Sequence, residues 1–248
     1  MRAVLRFYAE LKDFLPSENH SGTVVHSFDV PGSVKDAIEA HGVPHTEVDL
    51  IVVDGESVDF SHRLSDGERV SVYPVFESFD ISPILRVRPE PLRQTRFVAD
   101  THLGRLARRL RLLGFDTAYS NNAPDHELVR TSTREHRILL TRDVGLLKHS
   151  ALTHGYFVRA TDPREQMLEV VHRFHLSDRL QPFTRCLECN HLLQEASADQ
   201  VRRLAPPRVL ELHNEFRHCP GCDQLYWKGS HHSRLDEIVE LARSAAID

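Results

Sequence analysis

The four cysteines of the chain form two Cys-x-x-Cys pairs: Cys186 with Cys189, and Cys219 with Cys222. Two thiolates at this spacing on a tight turn can bind one ion, and two such turns supply the four ligands of a closed tetrahedral zinc site. Asn190 and Asp223 directly follow the two pairs and suit a turn. We therefore predict a structural zinc ion, since four thiolates leave no open position for a reacting water.

Other uses of these cysteines fit the sequence less well. Two disulfides would need an oxidising compartment, and the first residues, MRAVLRFYAELKDF, lack the apolar core of a signal peptide. A redox Cys-x-x-Cys typically occurs once, beside a βαβ unit. No apolar run approaches the roughly 20 residues that span a bilayer. The sequence predicts a cytoplasmic protein with no membrane partner, and 248 residues allow two or three domains.

Three aspartates form a second candidate site. Asp100 and Asp143 each end a predicted strand, and Asp125 begins a predicted helix. In parallel sheets, sites lie at the carboxyl ends of the strands. Three carboxylates there would repel one another without a cation, and hard oxygen ligands suit Mg²⁺ or Mn²⁺. Such an ion can activate a water for attack on a phosphodiester.

Each aspartate also has a structural interpretation. Asp125 can be an N-cap or first-turn acid favoured by the helix dipole, and Asp100 and Asp143 can cap the helices that follow them. Asp162 stands in a capping-box arrangement and is interpreted as structural. Two further acids are predicted to be solvated: Asp116 and Glu127.

The elements that must position these aspartates alternate between strand and helix, which predicts a parallel sheet with helices on both faces. Strands are predicted at 96–100, 116–119, 137–141 and 156–160, and helices at 102–113, 125–136, 144–149 and 163–174. The first helix has leucines at helical spacing, and four arginines are predicted on its remaining surface: Arg105, Arg108, Arg109 and Arg111. They either form a charged face or contact phosphates.

Residues 1–78 differ in charge from the rest, with 6 Lys and Arg against 15 Asp and Glu over residues 1–80. Strands are predicted at 2–11, 23–30, 50–53 and 69–75, and a helix at 34–41 after a Ser33 cap. This order resembles a ubiquitin-like β-grasp fold of the sulfur-carrier branch. The chain continues past Glu77, so the free Gly-Gly end of a carrier is missing. A docking or regulatory module with a protein partner is the better hypothesis. Residues 79–95, rich in proline and arginine, are predicted to be a linker.

Residues 179–248 surround the cysteines. Pro206-Pro207 is predicted to break a helical stretch that begins near Ser197, and a terminal helix is predicted at 234–243. Tyr226 and Trp227 stand beside Lys228, so they either stack on unpaired bases or cover a small core. Three histidines are predicted to lie near the metal or on the surface without binding it: His191, His213 and His218.

Long blocks of the chain resemble one known family. These are RFVADTHLGRLARRLRLLGFDTAYSNN, then DHELVRTSTREHRILLTRD, then the two Cys-x-x-Cys pairs. Together they resemble the Mut7-C family, a PIN-like RNase domain joined to a C-terminal zinc ribbon, often with a ubiquitin-like domain in front. The resemblance implies an α/β protein with a β-grasp domain at 1–78, a PIN-like parallel-sheet domain at 96–178 and a zinc ribbon with a C-terminal helix at 179–248.

The resemblance also implies metal-dependent endonucleolytic cleavage of RNA, with tRNA, rRNA or the ribosome as candidate partners. The acidic set of the PIN site falls on Asp100, Asp125 and Asp143, with Thr141 near the third acid, and no fourth acid is assigned. RNA contacts are assigned to six residues: Arg105, Arg108, Arg109, Arg142, Trp227 and Lys228. The alternative is an inactive adaptor that binds RNA or the ribosome.

Overall fold

A computed structural model describes residues 1–74, 86–87, 95–229 and 232–245. The protein divides into two compact units, one formed by Met1–Gln94 with Pro124–Phe157 and the other by Thr95–Ala123 with Val158–Asp248. The predicted linker at 79–95 lies almost entirely outside the described residues. The domain boundaries given above stay predictions.

The N-terminal part is a five-stranded sheet with one helix. Its elements are β1 (Arg2–Phe7), β2 (Thr23–Ser27), α1 (Val34–Ala40), β3 (Leu50–Val53), β4 (Glu56–Val58) and β5 (Arg69–Tyr73). The strand order is β2-β1-β5-β3-β4, with β1 antiparallel to β2 and parallel to β5. This mixed sheet confirms the predicted β-grasp class.

Alternation along β1 shows how the sheet forms its core. Ala3, Leu5 and Phe7 are fully buried, and the residues between them are exposed. The predicted strand at 2–11 was too long, because a 3₁₀ helix begins at Ala9 and turns Leu11 into the core. The predicted strands at 23–30 and 69–75 likewise end earlier, at Ser27 and Tyr73.

Helix α1 begins as the sequence predicts. The Ser33 hydroxyl accepts a hydrogen bond from the Asp36 N–H at 3.1 Å, which satisfies one of the unpaired donors of the first turn. The chain then reverses at Gly42, whose φ is +98° and whose missing Cβ would lie 2.8 Å from the carbonyl oxygen of Phe14. Only glycine fits this turn without strain.

Within the same compact unit, the loop after α1 packs against residues 147–157 through buried polar groups. The two ring nitrogens of His45 lie 2.6 Å from Glu39 Oε1 and 2.8 Å from the Leu152 carbonyl oxygen. The Glu47 carboxylate accepts a hydrogen bond from the Phe157 N–H. These bonds satisfy groups that would be costly to bury alone. They were not foreseen from the sequence.

The central elements alternate as predicted. They are β6 (Phe97–Ala99), α2 (Gly104–Leu112), β7 (Thr117–Tyr119), α3 (Asp125–Glu135), β8 (Ile138–Thr141), α4 (Val144–Leu147), β9 (Gly155–Phe157) and α5 (Pro163–Arg173). Strands β6 and β7 pair in parallel in one unit, and β8 and β9 pair in parallel in the other. The predicted helix at 102–113 begins as a 3₁₀ turn, Thr101–Leu103, and its leucine stripe is buried.

The C-terminal part carries a small antiparallel sheet and three helices. Its elements are β10 (Gln194–Glu195), α6 (Ala198–Leu204), α7 (Pro207–Leu212), β11 (Phe216–His218), β12 (Leu225–Trp227) and α8 (His232–Ser244). Pro206 and Pro207 separate α6 from α7, as predicted, and Ser197 caps α6 in a capping box. In the part of the chain that the structure describes, no helix is both long and apolar enough to cross a membrane.

Replacing His45 should weaken the packing of the α1 loop on residues 147–157. The change His45→Ala removes two hydrogen bonds and leaves buried acceptors behind, so the free energy of unfolding in urea should fall by about 1–3 kcal/mol. The exposed His20 is the matched control, and His20→Ala should change that free energy by less than about 0.5 kcal/mol. Equal stability of the two variants would show that these hydrogen bonds make no net contribution to the free energy of unfolding.

Candidate functional site

The four cysteine sulfurs converge on one point. All four Sγ atoms lie within 4.8 Å of one another, with Cys186 Sγ 3.5 Å from Cys222 Sγ and Cys189 Sγ 3.2 Å from Cys219 Sγ. A tetrahedral zinc ion with bonds of about 2.3 Å places its sulfurs about 3.8 Å apart. The thiols are free rather than joined as disulfides. The cluster can therefore hold a metal ion, as the sequence predicts.

Each pair of cysteines lies on a turn closed by its own backbone. The Asn190 N–H donates to the Cys186 carbonyl at 3.0 Å, and the Asp223 N–H donates to the Cys219 carbonyl at 3.0 Å. Asn190 and Asp223 have φ values of +73° and +61°, a left-handed conformation that their short polar side chains tolerate. The two turns are therefore built alike, and each aims two sulfurs inward.

Tyr226 stabilises the thiolate form of Cys186. Its hydroxyl accepts a hydrogen bond from the Leu187 N–H and lies 3.1 Å from Cys186 Sγ, where it can donate to a thiolate. Burial alone would raise the pKa of Cys186, but this bond and those from the N–H groups of Cys189 and Glu188 outweigh it and lower the pKa to about 6. Burial and the nearby sulfur raise the pKa of Tyr226. The hydroxyl of Tyr226 thus points to the sulfur cluster.

A buried arginine of α2 connects β7 to the turn that carries Cys186 and Cys189. Arg111 donates from Nε to the Thr117 carbonyl, and from Nη1 to the carbonyls of Leu187 at 3.0 Å and Glu188 at 2.6 Å. Its exposed fraction is 3 %, so the prediction that it lies on the surface of the helix is wrong. Gly104, Ala107 and Arg111 lie on one side of α2. The two small residues could have indicated from the sequence that this side packs closely against the rest of the unit.

Asp116 is also more engaged than the sequence suggested. It accepts a hydrogen bond from Asn190 Nδ2 at 2.8 Å and lies 3.7 Å from Arg185 Nη2. The Asn190 side chain in turn accepts from the Thr117 N–H. The prediction that Asp116 is solvated is therefore wrong, because it helps to attach the cysteine turn to β7. Glu127 is exposed and pairs loosely with Arg130.

Two of the three predicted histidines lie close to the cysteine turns. His218 is buried, with Nε2 2.7 Å from Asp223 Oδ1 and Nδ1 3.1 Å from Gln200 Nε2. Arg203 and His218 hold the pKa of Asp223 well below its usual range. His191 Nδ1 lies 3.5 Å from Cys189 Sγ on the exposed side of the centre.

Two of the three predicted acidic ligands act as helix caps. Asp100, buried at the end of β6, accepts a hydrogen bond from the Thr101 N–H. Asp143 follows β8 and accepts at Oδ1 from the N–H groups of Gly145 and Leu146, while its own N–H donates to the Thr141 hydroxyl. Asp125 is the first residue of α3, where Pro124 is the N-cap. Asp162 caps α5, as interpreted from the sequence.

A groove of about 790 Å³ lies next to Asp100 within the same unit. Its lining includes Thr101, His102, Arg105 and Arg108 on one side and Ser120 and Asn121, which follow β7, on the other. Arg108 is paired with Glu188 at 2.7 Å, whereas Arg105 is exposed. The groove is open and basic enough to accept a phosphate backbone.

The remaining predicted RNA contacts differ in exposure. Arg109 is half-buried, burial lowers its pKa, and its Nη1 atom has no hydrogen-bond partner among the described residues. Arg142 is exposed just after β8, in the other unit. Trp227 and Lys228 lie at the end of β12, where Trp227 is half-buried and Lys228 is exposed.

Comparison with known proteins gives two family matches. The model of the Mut7-C RNAse domain matches residues 95–239, and the model of the Mut7-C ubiquitin domain matches residues 1–80. The crystal structure of SAMP1 from Haloferax volcanii is 17 % identical and covers 32 % of this chain and 100 % of its own, with a TM-score of 0.26. No curated protein matches the chain.

The metal content should depend on the four cysteines and on no histidine. Purified protein should contain one zinc ion per chain, and Cys219→Ser should lose it. Since metal binding and folding are coupled in such modules, the amides of 183–229 should then exchange hydrogen faster. Metal analysis and hydrogen exchange measure both effects.

The matched control is His191→Ala, which removes a neighbour of Cys189 but no sulfur and should keep the zinc. Zinc retained by Cys219→Ser, or lost from His191→Ala, would contradict this ligand set.

Proposed function

Since the chain belongs to the Mut7-C RNAse domain family, we propose that it is a metal-dependent endoribonuclease. The family match over residues 95–239 carries the proposal. Asp100, Asp125 and Asp143 would hold Mg²⁺ or Mn²⁺, because carboxylate oxygens are the ligands these ions prefer. When bound, the ion supplies an activated water and offsets charge on the phosphate that is attacked.

Capping does not prevent Asp100 and Asp143 from serving as ligands. A carboxylate has two oxygens and about four acceptor sites, and the cap bonds to Asp143 both use its Oδ1 atom. These bonds hold each side chain in one orientation on a rigid strand end. A ligand held in this way needs little reorganisation when it binds a cation. The structural and functional interpretations of these residues are therefore compatible.

The chain's own cations would bind the RNA backbone. Arg105 and Arg108 line the groove beside Asp100, and we propose that they contact phosphates there. Arg109 and Arg142 remain candidates from the sequence. The zinc ion of the cysteine cluster would hold the ribbon in shape, so that Trp227 and Lys228 reach the same RNA. The partner would be a tRNA, an rRNA or the ribosome.

We further propose that the acidic ubiquitin-like part, residues 1–78, binds a protein partner rather than RNA. Its 15 acidic residues against 6 basic ones within residues 1–80 would repel a polyanion. The segments 96–178 and 179–248 would form the nuclease and the ribbon.

A second hypothesis is an inactive adaptor that binds RNA or the ribosome without cutting it. The observation that favours it is the capping role of Asp100 and Asp143, which gives both residues a structural use without any metal. Binding that persists without divalent metal, and without cleavage, would support the adaptor over the nuclease.

Replacing one acid should separate the two hypotheses. The protein should cleave structured RNA when Mn²⁺ is added, and Asp143→Asn should abolish cleavage, because an amide still caps α4 but binds cations poorly. The matched control is Asp162→Asn, which changes a cap of the same kind on α5 and should cleave normally. Denaturing gels of labelled RNA measure the rates. Equal cleavage by Asp143→Asn and the wild type would remove this assignment.

Arg105 should contribute to RNA affinity through charge alone. Arg105→Ala should weaken binding of all RNA sequences alike and reduce the slope of log affinity against log salt by about one phosphate contact. The control is Arg2→Ala, the same change of charge on an exposed residue of the acidic N-terminal sheet. Filter binding at several salt concentrations measures both. A slope that Arg105→Ala leaves unchanged would exclude a phosphate contact.

A further inference from the structure

A cleft of about 920 Å³ opens within the unit that contains the ribbon. One wall is the ribbon sheet, with Phe216 and Trp227, and the other includes Phe183, His232 and Leu235 of α8. Its volume falls within the roughly 300–1,000 Å³ of clefts that bind small organic groups. Its lining shares only Leu187, in the turn that carries Cys186 and Cys189, with the groove beside Asp100.

The ribbon wall of the cleft is aromatic. Phe216 and Trp227 are register partners on neighbouring antiparallel strands, so their side chains project from the same face of the sheet. Both are half-buried and leave part of a ring open to the cleft. On the facing wall, the rings of Phe183 and His232 stack with centroids 4.5 Å apart and an angle of 21° between their planes. Flat surfaces on two sides suit a flat ligand.

The rim of the cleft is cationic. Four basic and two acidic residues line it: Arg185, Arg202, Arg217, Lys228, Glu195 and Glu215. Arg185 already donates to the carbonyls of Gly114 and Asn190. Arg217 is exposed, and Lys228 has only a long 3.8 Å approach to Glu215. Exposed pairs of that length contribute little, so Lys228 can exchange its partner for an anion.

An aromatic cleft with a cationic rim is complementary to a nucleotide, which joins a flat base to phosphates. An apolar peptide would satisfy the aromatic walls but not the cations. A base within a duplex has both faces covered by its neighbours and cannot enter, whereas an unpaired base can stack on an aromatic ring.

From this combination we propose that the cleft binds an unpaired nucleobase, with Trp227 as the stacking surface and Lys228, directly after β12, on a flanking phosphate. The substrate class is therefore RNA with a single-stranded segment. This inference rests on the proposed function for its RNA, but it concerns a different site.

Trp227 is the single tryptophan of the chain and reports on the cleft directly. The probe is a 12-nucleotide single-stranded RNA, compared with the same strand annealed to its complement. Both are titrated into the full-length protein carrying Asp143→Asn, with zinc bound and no other divalent ion added. The single strand should quench the Trp227 fluorescence saturably, and the duplex should bind at least 10-fold more weakly. Equal affinities, or saturation without quenching, would overturn the proposal.

Variants test the residues by anisotropy of a labelled single strand, which needs no tryptophan. Base stacking contributes about 1–3 kcal/mol, so Trp227→Ala should raise the dissociation constant about 5-fold or more, while Trp227→Phe keeps a ring and should lose less. Lys228→Ala should also weaken binding. Its control is Arg208→Ala, an exposed cation of α7 that does not line the cleft. Zinc content equal to that of the wild type shows that the ribbon of each variant remains folded. If Trp227→Ala binds the single strand as tightly as the wild type, the proposed site is refuted.

The same protein distinguishes failure of this inference from failure of the proposed function. Cleavage with Mn²⁺ by the wild type, without quenching in Asp143→Asn, refutes the cleft and leaves the nuclease. Saturable quenching by single strands, without cleavage under any metal, supports the cleft and refutes the nuclease. Quenching by an acidic peptide such as polyglutamate, but not by RNA, would assign the cleft to a protein partner and overturn the proposal.

Discussion

The convergence of four sulfurs on one point is the constraint on which the C-terminal part of the protein rests. Helices α6 and α7 bury no residue, and Leu210 and Leu212 remain exposed, so an apolar core contributes little there. Four thiolates this close would repel one another without a metal. An ion bound there would cancel this repulsion and join the two turns.

The two aspartates at strand ends combine a structural role with the cation-binding role proposed for them. Asp100 and Asp143 each begin the next helical segment while standing where a parallel sheet places its ligands. The cap fixes the orientation of the carboxylate, and a fixed orientation would favour the cation binding proposed for these residues. A residue with both roles has a structural reason to stay in place even in a chain that does not cleave RNA.

Local patterns predicted much of this fold, and long-range polar contacts did not. Leucine spacing located α2 and its buried face, and Cys-x-x-Cys spacing located the metal cluster, because both depend on neighbours along the chain. Arg111, Asp116 and His45 find partners in segments 70 to about 110 residues away along the chain. The periodicity of a single helix or strand gives no information about such contacts. The aspartate site rests on topology and family resemblance, so it remains a proposal.

The bonds of Arg111 connect the packing of α2 to the turn that carries Cys186 and Cys189, and would couple α2 to metal binding there. Its guanidinium is shared between β7 and the carbonyls of the first cysteine turn, which adopt their positions when the turn is folded. By thermodynamic linkage, if ion binding stabilises the packing of α2, then the packing of α2 increases the affinity for the ion by the same free energy. A substitution in the core of α2 would therefore also change the affinity of the cysteine cluster for a metal ion.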